Sequence, residues 1–537
     1  MEPERKLARE VLIRGLTMSP RSAPPSPLLA RLAARAREAR SAILDDEGVH
    51  GYAAIEERSR RAAGALLQGK TSLEGRRIAL LVSPGAAWVE AFFGVVRAGG
   101  CAVVLSPLHP EAETSYFCDD AEVSTLVASP DLAPRLDNVA RSRRLVSTDE
   151  LRAHAPTSLP EVTADDAALQ LYTSGTTGKP KGAILTHANL SVQQDVVARA
   201  WSHAPGDLLV HALPLHHLHG LGIALLNLLG SGASARLLAQ FDAERVWESL
   251  AGATLFMGVP TMYTKLFAAF DAADERTRAR WSENAGRLRL ATSGSAALPV
   301  TLGERWRALS GAYPLERFGM TEIGVGMSNP LAGPRKPGMV GLPLETVETR
   351  IVGEAGGSAA ATGDGGAAAA EAEAASGELW VRGPSVFAGY WKREEATAAA
   401  FVEDRGGRWF KTGDTVTRDV DGYFKILGRT SVDILKSGGY KLSALEIEEV
   451  LREHASVAEV AVVGLPDETW GERVVACVVP RAGHACDEAA LRSFAKERLA
   501  SYKVPKEVIG MRELPRNAVG KVVKPDLVKR LREPKVT

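Results

Sequence analysis

One stretch, Leu171-Tyr-Thr-Ser-Gly-Thr-Thr-Gly-Lys-Pro-Lys-Gly182, restricts this chain more than any other. The apolar run from Ala167 to Tyr172 reads as a buried strand. It empties into a loop of glycines, small hydroxyl residues and two lysines. Glycine lets the backbone curl until several N–H groups face one concavity. Thr173, Ser174, Thr176 and Thr177 add hydroxyl donors, and Lys179 and Lys181 add positive charge. Such a loop is built to hold a polyphosphate. It is not a Walker A loop, because only two residues separate Gly175 from Gly178 and Pro180 follows Lys179. A plain surface turn has a similar composition, but the strand in front favours a fixed loop.

At 537 residues the chain is too long for one ordinary core, so two or more domains are expected. Lys+Arg and Asp+Glu are both 65, which leaves no global field to draw in nucleic acid or an anionic membrane. No apolar run is long enough to span a bilayer. The four cysteines, Cys101, Cys118, Cys477 and Cys486, are scattered without metal-ligand spacing and read as free thiols in a reducing compartment. The Arg-rich first forty residues lack a secretory apolar core, and Glu2, Glu4 and Glu10 argue against a transit peptide. A cytoplasmic protein is expected, with residues 1–40 as a leader and Leu28, Leu29 and Leu32 on the opening helix.

Along the chain, Ile78–Val82, Ala86–Ala98 and Cys101–Leu105 alternate strand, helix and strand, and looser copies follow. That order predicts parallel sheets with helices on their faces. Asn189 is expected to cap a helix carrying Leu190, Val197 and Trp201. His211 to Gly220 holds four histidines, but in a Pro/Gly-flanked segment without companion carboxylates or thiols, so pocket lining is favoured over zinc. Residues 353–376 are nearly all Ala, Gly and small polar residues and read as a mobile surface insertion. Trp409-Phe-Lys-Thr-Gly-Asp414 places an aspartate after a tight glycine turn. From Ser431 the texture becomes a compact α+β unit, opened by the capping box Ser443-Ala-Leu-Glu446.

The loop at 171–182, Phe318-Gly-Met-Thr-Glu322, Thr412-Gly-Asp414, Gly428-Arg429 and Asn517-Ala-Val-Gly-Lys521 stand in the order found in adenylate-forming enzymes. The chain resembles that superfamily, which holds acyl-CoA synthetases, adenylation domains and luciferases, from about residue 45 onward. Leu213–Gly220, Phe256–Lys265, Arg289–Ser295 and Gly428–Asp433 resemble malonyl-CoA synthetases in particular. The resemblance implies an α/β fold: a large N-terminal domain (41–430) of parallel sheets with helices plus a small β-barrel, and a small swivelling α+β domain (431–537). It implies ATP, Mg²⁺ and coenzyme A, a small carboxylate substrate, and an acyl-adenylate intermediate. A carrier protein is the alternative acceptor.

Roles follow residue by residue from the same resemblance. Thr173, Ser174, Gly175, Thr176, Thr177, Gly178, Lys179 and Lys181 would hold the β- and γ-phosphates. Ser293, Gly294, Ser295, Ala296 and Ala297 would lie against adenine, with Arg317, Phe318, Gly319 and Met320 also on the nucleotide. Thr321 suits the α-phosphate, and Glu322, with Thr176, suits Mg²⁺. Asp414 suits the ribose hydroxyls, with Arg429 beside it. Lys521 would bridge acyl carboxylate and α-phosphate, Lys436 would serve thioester formation, and Ser431 would stand at the hinge. A dicarboxylate needs a fixed cation for its second carboxylate. Arg289 is expected to supply it, with His219 helping. Methylmalonate is an expected second substrate, and a monocarboxylate ligase or a carrier-loading enzyme are the rival readings.

Overall fold

The computed structural model describes residues 23–173, 179–353, 358–359, 376–437, 440–467, 470–499, 501–516 and 522–532. Strands that are apolar on both faces must be covered on both faces, and this sorts the chain into layers. Arg77–Leu81, Cys101–Val104, Thr125–Ala128 and Arg144–Ser147 run parallel in one sheet. Ala167–Thr173 continues it in parallel, and Lys181–Thr186 and Gly389–Tyr390 complete it antiparallel, for seven strands. The helix Ala86–Arg97, buried along nearly its whole length, fills the space beside it.

A second sheet has nine strands. Its parallel centre runs Leu315–Met320, Leu290–Ser293, Leu255–Gly258, Leu208–His211, Ser234–Leu237 and Ser41–Asp45. A six-stranded antiparallel sheet built on Ser376–Arg382 and Gly407–Arg418 stands where the small barrel is expected. All three share one large core. Beyond the turn at Ser431, Ile434–Ser437, Tyr440–Ser443, Val457–Asp467, Gly471–Pro480 and Glu507–Gly510 form a separate five-stranded sheet. Its core of Leu435, Ile447, Leu451, Val462, Val474 and Leu491 is distinct from the large one, as a small second domain requires.

Three expectations change. Residues 23–40 are not a leader: Pro27–Arg35 is a helix capped by Ser26, Leu28 and Leu32 are buried, and Ser26 Oγ bonds to His187 Nδ1 at 2.7 Å. The domain therefore begins no later than residue 23 among the described residues. Asn189 is not the cap of its helix; Thr186 is, and Asn189 returns the bond from the third position of a reciprocal capping box. Thr412-Gly413-Asp414 is not a turn between elements but lies inside the strand Gly407–Arg418. There Gly413 takes φ +70° where the register slips, which aims Asp414 inward. Of the 353–376 insertion, residues 354–357 and 360–375 lie outside the described residues, while Ser358–Ala359 pair with Val352 and Ile351.

Candidate active site

Ligands of open parallel sheets bind beyond the carboxyl ends of the strands. Both large sheets bring their marked residues to that end. Thr173 closes Ala167–Thr173 and pairs with Lys181 on the returning strand, so the two strands flank the expected phosphate loop. Ser174 to Gly178 lie outside the described residues. The lysines that follow are placed: Lys179 Nζ stands 5.2 Å from the Tyr116 ring centre and Lys181 Nζ 5.0 Å from that of Tyr390. Tyr116 also donates to Pro180 O at 2.8 Å, fixing the loop's exit.

The second sheet delivers Thr321 and Glu322 in the turn after Leu315–Met320. Glu322 is buried, and burial pushes its carboxyl above the usual range, against the pull of Tyr390 and Arg429. Its Oε1 accepts from Tyr390 Oη at 2.9 Å and from Thr173 Oγ1 at 3.4 Å, which ties the two sheets together at the site. A buried carboxylate with hydroxyl neighbours suits Mg²⁺, which prefers hard oxygen donors. Tyr390 was not expected from sequence. Its only local signal is an aromatic pair, Tyr390-Trp391, and nothing in the spacing says that it pairs with Ala183 some two hundred residues earlier. Asp414 is buried with Arg429 Nε 3.1 Å from its Oδ1, and Arg429 Nη1 donates to Thr412 O at 2.6 Å. Asp414 and Arg429 face each other across paired strands.

Ser293 ends the strand Leu290–Ser293, and the turn after it holds Gly294 and Ser295. His219 Nδ1 and Ser295 Oγ share a hydrogen bond of 3.1 Å. His219 opens the buried π-helix His219–Leu226, a rare form that often marks a functional position. Burial, with Arg317 nearby, holds His219 well below its usual pKa, so it is neutral. Arg317 itself is 5% exposed, and burial brings its pKa down to about 10, so it keeps its charge at neutral pH. Its Nε and Nη2 are buried without a hydrogen-bond partner among the described residues, as are His219 Nε2, Ser293 Oγ and Thr292 Oγ1. A Cβ at position 294 would come within 2.5 Å of Arg317 Nε, so only glycine leaves room for the guanidinium. An unpaired buried cation among orphaned donors is costly unless an anion comes to it.

The expectation for Arg289 is corrected. Its Nε donates to Asp207 Oδ1 at 2.7 Å, its Nη2 also bonds to Asp207, and its Nη1 donates to Trp201 O at 2.8 Å. Arg289 precedes its strand, so it sits at the amino edge of the sheet. Four residues of strand, about 13 Å, separate it from Ser293. Arg317, placed on the nucleotide by resemblance, turns its guanidinium to Gly294, itself in the turn expected to lie against adenine. His216 lies between His109 and His217, with ring centres 5.5 and 4.3 Å away. Burial holds His216 at about 2 and the other two at about 4, so all three are neutral. Ser431 lies in an exposed turn between the two domains, and Lys436 is exposed on the small domain's sheet. Lys521 lies outside the described residues.

One neighbour gives a pH prediction. Glu316 is buried, accepts from Gly338 N at 2.8 Å, and burial, with Glu449 of the small domain nearby, pushes it up to about 8. A carboxyl raised on folding binds an extra proton in the native state, so its contribution falls as pH rises from the unfolded value through about 8. The slope is at most about 1.4 kcal/mol per pH unit. Glu316→Gln is therefore expected to match the wild type below about pH 4.5, to lead it already at pH 6, and to exceed it in Tm by several degrees from pH 8 to 9. Thermal melts across that range check it, and parallel curves contradict it.

Comparisons with known proteins show the family. The AMP-binding enzyme model matches residues 30–391 and the AMP-binding enzyme C-terminal domain matches residues 446–521. The malonate–CoA ligase ACSF3, mitochondrial, of Bos taurus is 40% identical over 528 residues, covering 92% of this chain and 88% of its own. The crystal structure of ATP-bound MatB from Rhodopseudomonas palustris superposes with a TM-score of 0.83 at 34% identity, covering 95% of this chain and 99% of that one. A malonyl-CoA ligase ternary product complex with methylmalonyl-CoA and AMP superposes at 0.65 and 36% identity, covering 91% and 100%. Among the described residues no helix is long and apolar enough to cross a membrane. The chain belongs to the AMP-binding enzymes and, within them, to the CoA ligases that join an acid to a thiol.

Proposed function

We propose that the chain is an ATP-dependent malonate–CoA ligase that forms malonyl-CoA, AMP and pyrophosphate through malonyl-adenylate. One observation carries the choice of acid: the Arg317 guanidinium, buried and unpartnered among the described residues, faces Gly294 close to His219. A carboxylate is the natural bidentate partner for such a fork. Malonate brings one carboxylate to Arg317 and keeps the other for chemistry. A simple monocarboxylate leaves the guanidinium unpaired. The relatives named as malonate–CoA ligases support the same reading.

In the first half-reaction the free carboxylate oxygen attacks the α-phosphorus of ATP and pyrophosphate leaves with the electron pair of the broken P–O bond. Charge then grows on the α-phosphate and on the leaving group, so positioned donors do most of the work. Thr173, Lys179 and Lys181 are assigned to the outgoing phosphates, together with Ser174 to Gly178. Thr321 and Lys521 are assigned to the α-phosphate, and Asp414 with Arg429 to the ribose. Glu322 and Thr176 would hold Mg²⁺, which neutralises phosphate charge when bound. In the second half-reaction the coenzyme A sulfur attacks the acyl carbonyl and AMP departs. Lys436 and the hinge at Ser431 are assigned to that step. A methyl on the central carbon of malonate discriminates weakly, so methylmalonate is accepted as well. The reading places the enzyme in the cytoplasm; relatives named as mitochondrial make the organelle the alternative that fractionation would reveal.

The test is a balance sheet. Purified protein with ATP, Mg²⁺, coenzyme A and malonate is expected to release AMP and consume thiol one for one. Pyrophosphate release with malonyl-adenylate retained and no thiol loss would assign the acceptor to a carrier protein. No malonate-dependent AMP at all would overturn the reading.

A further inference from the structure

We propose that Lys524 is a positioning residue for the adenylation half-reaction, holding the Lys521 segment to the hinge through a buried clamp on Asp433 and Glu448. The proposal rests on the reading of Lys521 given above. Lys524 is only 8% exposed, which a lysine tolerates only when paired. Its Nζ lies 2.5 Å from Asp433 Oδ1 and 2.7 Å from Glu448 Oε1. One ammonium does not neutralise two carboxylates, and the excess is met by Arg452, whose Nη2 lies 4.0 Å from Glu448 Oε2, and by backbone donors. Arg429 N donates to Asp433 Oδ2 at 3.0 Å, and Val462 N donates to Glu448 Oε1 at 2.8 Å.

The clamp joins parts of the chain that otherwise have no reason to move together. Lys524 opens the last described helix, Lys524–Arg532. Glu448 lies on the helix Ala444–Arg452, and Asp433 stands two residues past the hinge at Ser431. Arg429, on the other side of the hinge, reaches back to Asp414. The base of the 517–521 segment is closed by its described flanks: Arg516 and Val522 pair antiparallel, and Val523 N donates to Pro515 O at 2.9 Å. Lys524 follows that base directly and pins it. Lys521 is three residues away, at most about 10 Å of chain.

Helix stability does not explain the lysine. A cation at a helix N-terminus opposes the helix dipole. A buried ion pair is also a weak stabiliser compared with an apolar side chain of the same size. What the ammonium adds is a fixed geometry, and phosphoryl transfer is sensitive to that, since a misplacement of about 1 Å can lower a rate about 10²-fold.

Lys524→Met, Lys524→Arg and Lys521→Ala, with Lys524→Met/Glu448→Gln to remove one of the carboxylates left unpaired, would be compared in two assays. One is malonate-dependent pyrophosphate–ATP exchange; the other is thioester formation from chemically prepared malonyl-adenylate and coenzyme A. Both Met variants are expected to lose about 30- to 100-fold in exchange at saturating substrate while keeping thioester formation within about threefold. Lys524→Arg is expected to keep most of its exchange. Equal losses in both half-reactions would make Lys524 merely structural and overturn the proposal, as would full exchange in the Met variants while Lys521→Ala loses it. If Lys521→Ala itself keeps exchange, the reading of Lys521 fails, and this proposal with it.

Discussion

Lys521→Ala is expected to cut malonate-dependent pyrophosphate–ATP exchange by about 10²–10³-fold, the usual effect of removing one donor aimed at developing negative charge. Thioester formation from supplied malonyl-adenylate is expected to stay within a few-fold of wild type. The reasoning is chemical. Attack of one anion on another needs a cation between them, and it is needed most while both the incoming carboxylate and the α-phosphate carry charge. Once the adenylate exists, the second step meets a thiol and a neutral carbonyl, and a different face of the small domain serves it. Exchange at the normal rate would remove Lys521 from the mechanism.

Arg317→Met is expected to lower kcat/KM for malonate by about 10²–10³-fold, the range measured when one partner of a buried charge pair is truncated. The loss comes through the substrate's second carboxylate, so butyrate is expected to be unaffected or to improve. Stability supplies an independent sign. Arg317 is buried with two nitrogens unpartnered among the described residues, so the ligand-free protein carries an unrelieved desolvation cost. Methionine removes it, and the ligand-free variant is expected to melt at the same temperature or higher, while malonate no longer raises its Tm. Arg289→Met is the contrast. Asp207, 4% exposed at its side chain, loses its cation and keeps the bonds from Ala204 N and Thr254 Oγ1, so this variant is expected to lose stability by about 3 kcal/mol without changing which acid is preferred.

That contrast shows where the sequence was informative. The alternation of apolar strands and helices, the small second domain and the order of the nucleotide motifs were readable, because each depends on local pattern. Choosing between Arg289 and Arg317 needed the direction of a parallel strand as well as its existence. A residue just before such a strand is at the edge opposite the ligand, whatever turn follows the strand. By that rule Arg289 belonged with Asp207 from the start. Tyr390 and Lys524 were beyond reach for another reason. Tyr390 reaches Glu322 only because Gly389–Tyr390 adds to a strand at 181–186, and Lys524 meets Asp433 and Glu448 from 91 and 76 residues away. Pairing at that distance in sequence leaves no periodic trace. The cap of the helix His187–Ala200 was missed by three residues because a reciprocal box puts an N-cap residue type at both of its ends.

The most direct test of the central claim is a competition. The enzyme receives ATP, Mg²⁺ and coenzyme A with an equimolar mixture of malonate, methylmalonate, succinate, acetate, butyrate and octanoate, and the thioesters are counted by mass spectrometry. Malonyl-CoA is expected to dominate, with methylmalonyl-CoA second, in the wild type, and to lose that place in Arg317→Met. Butyryl-CoA or octanoyl-CoA dominating in the wild type would contradict the dicarboxylate pocket while leaving the ligase chemistry intact.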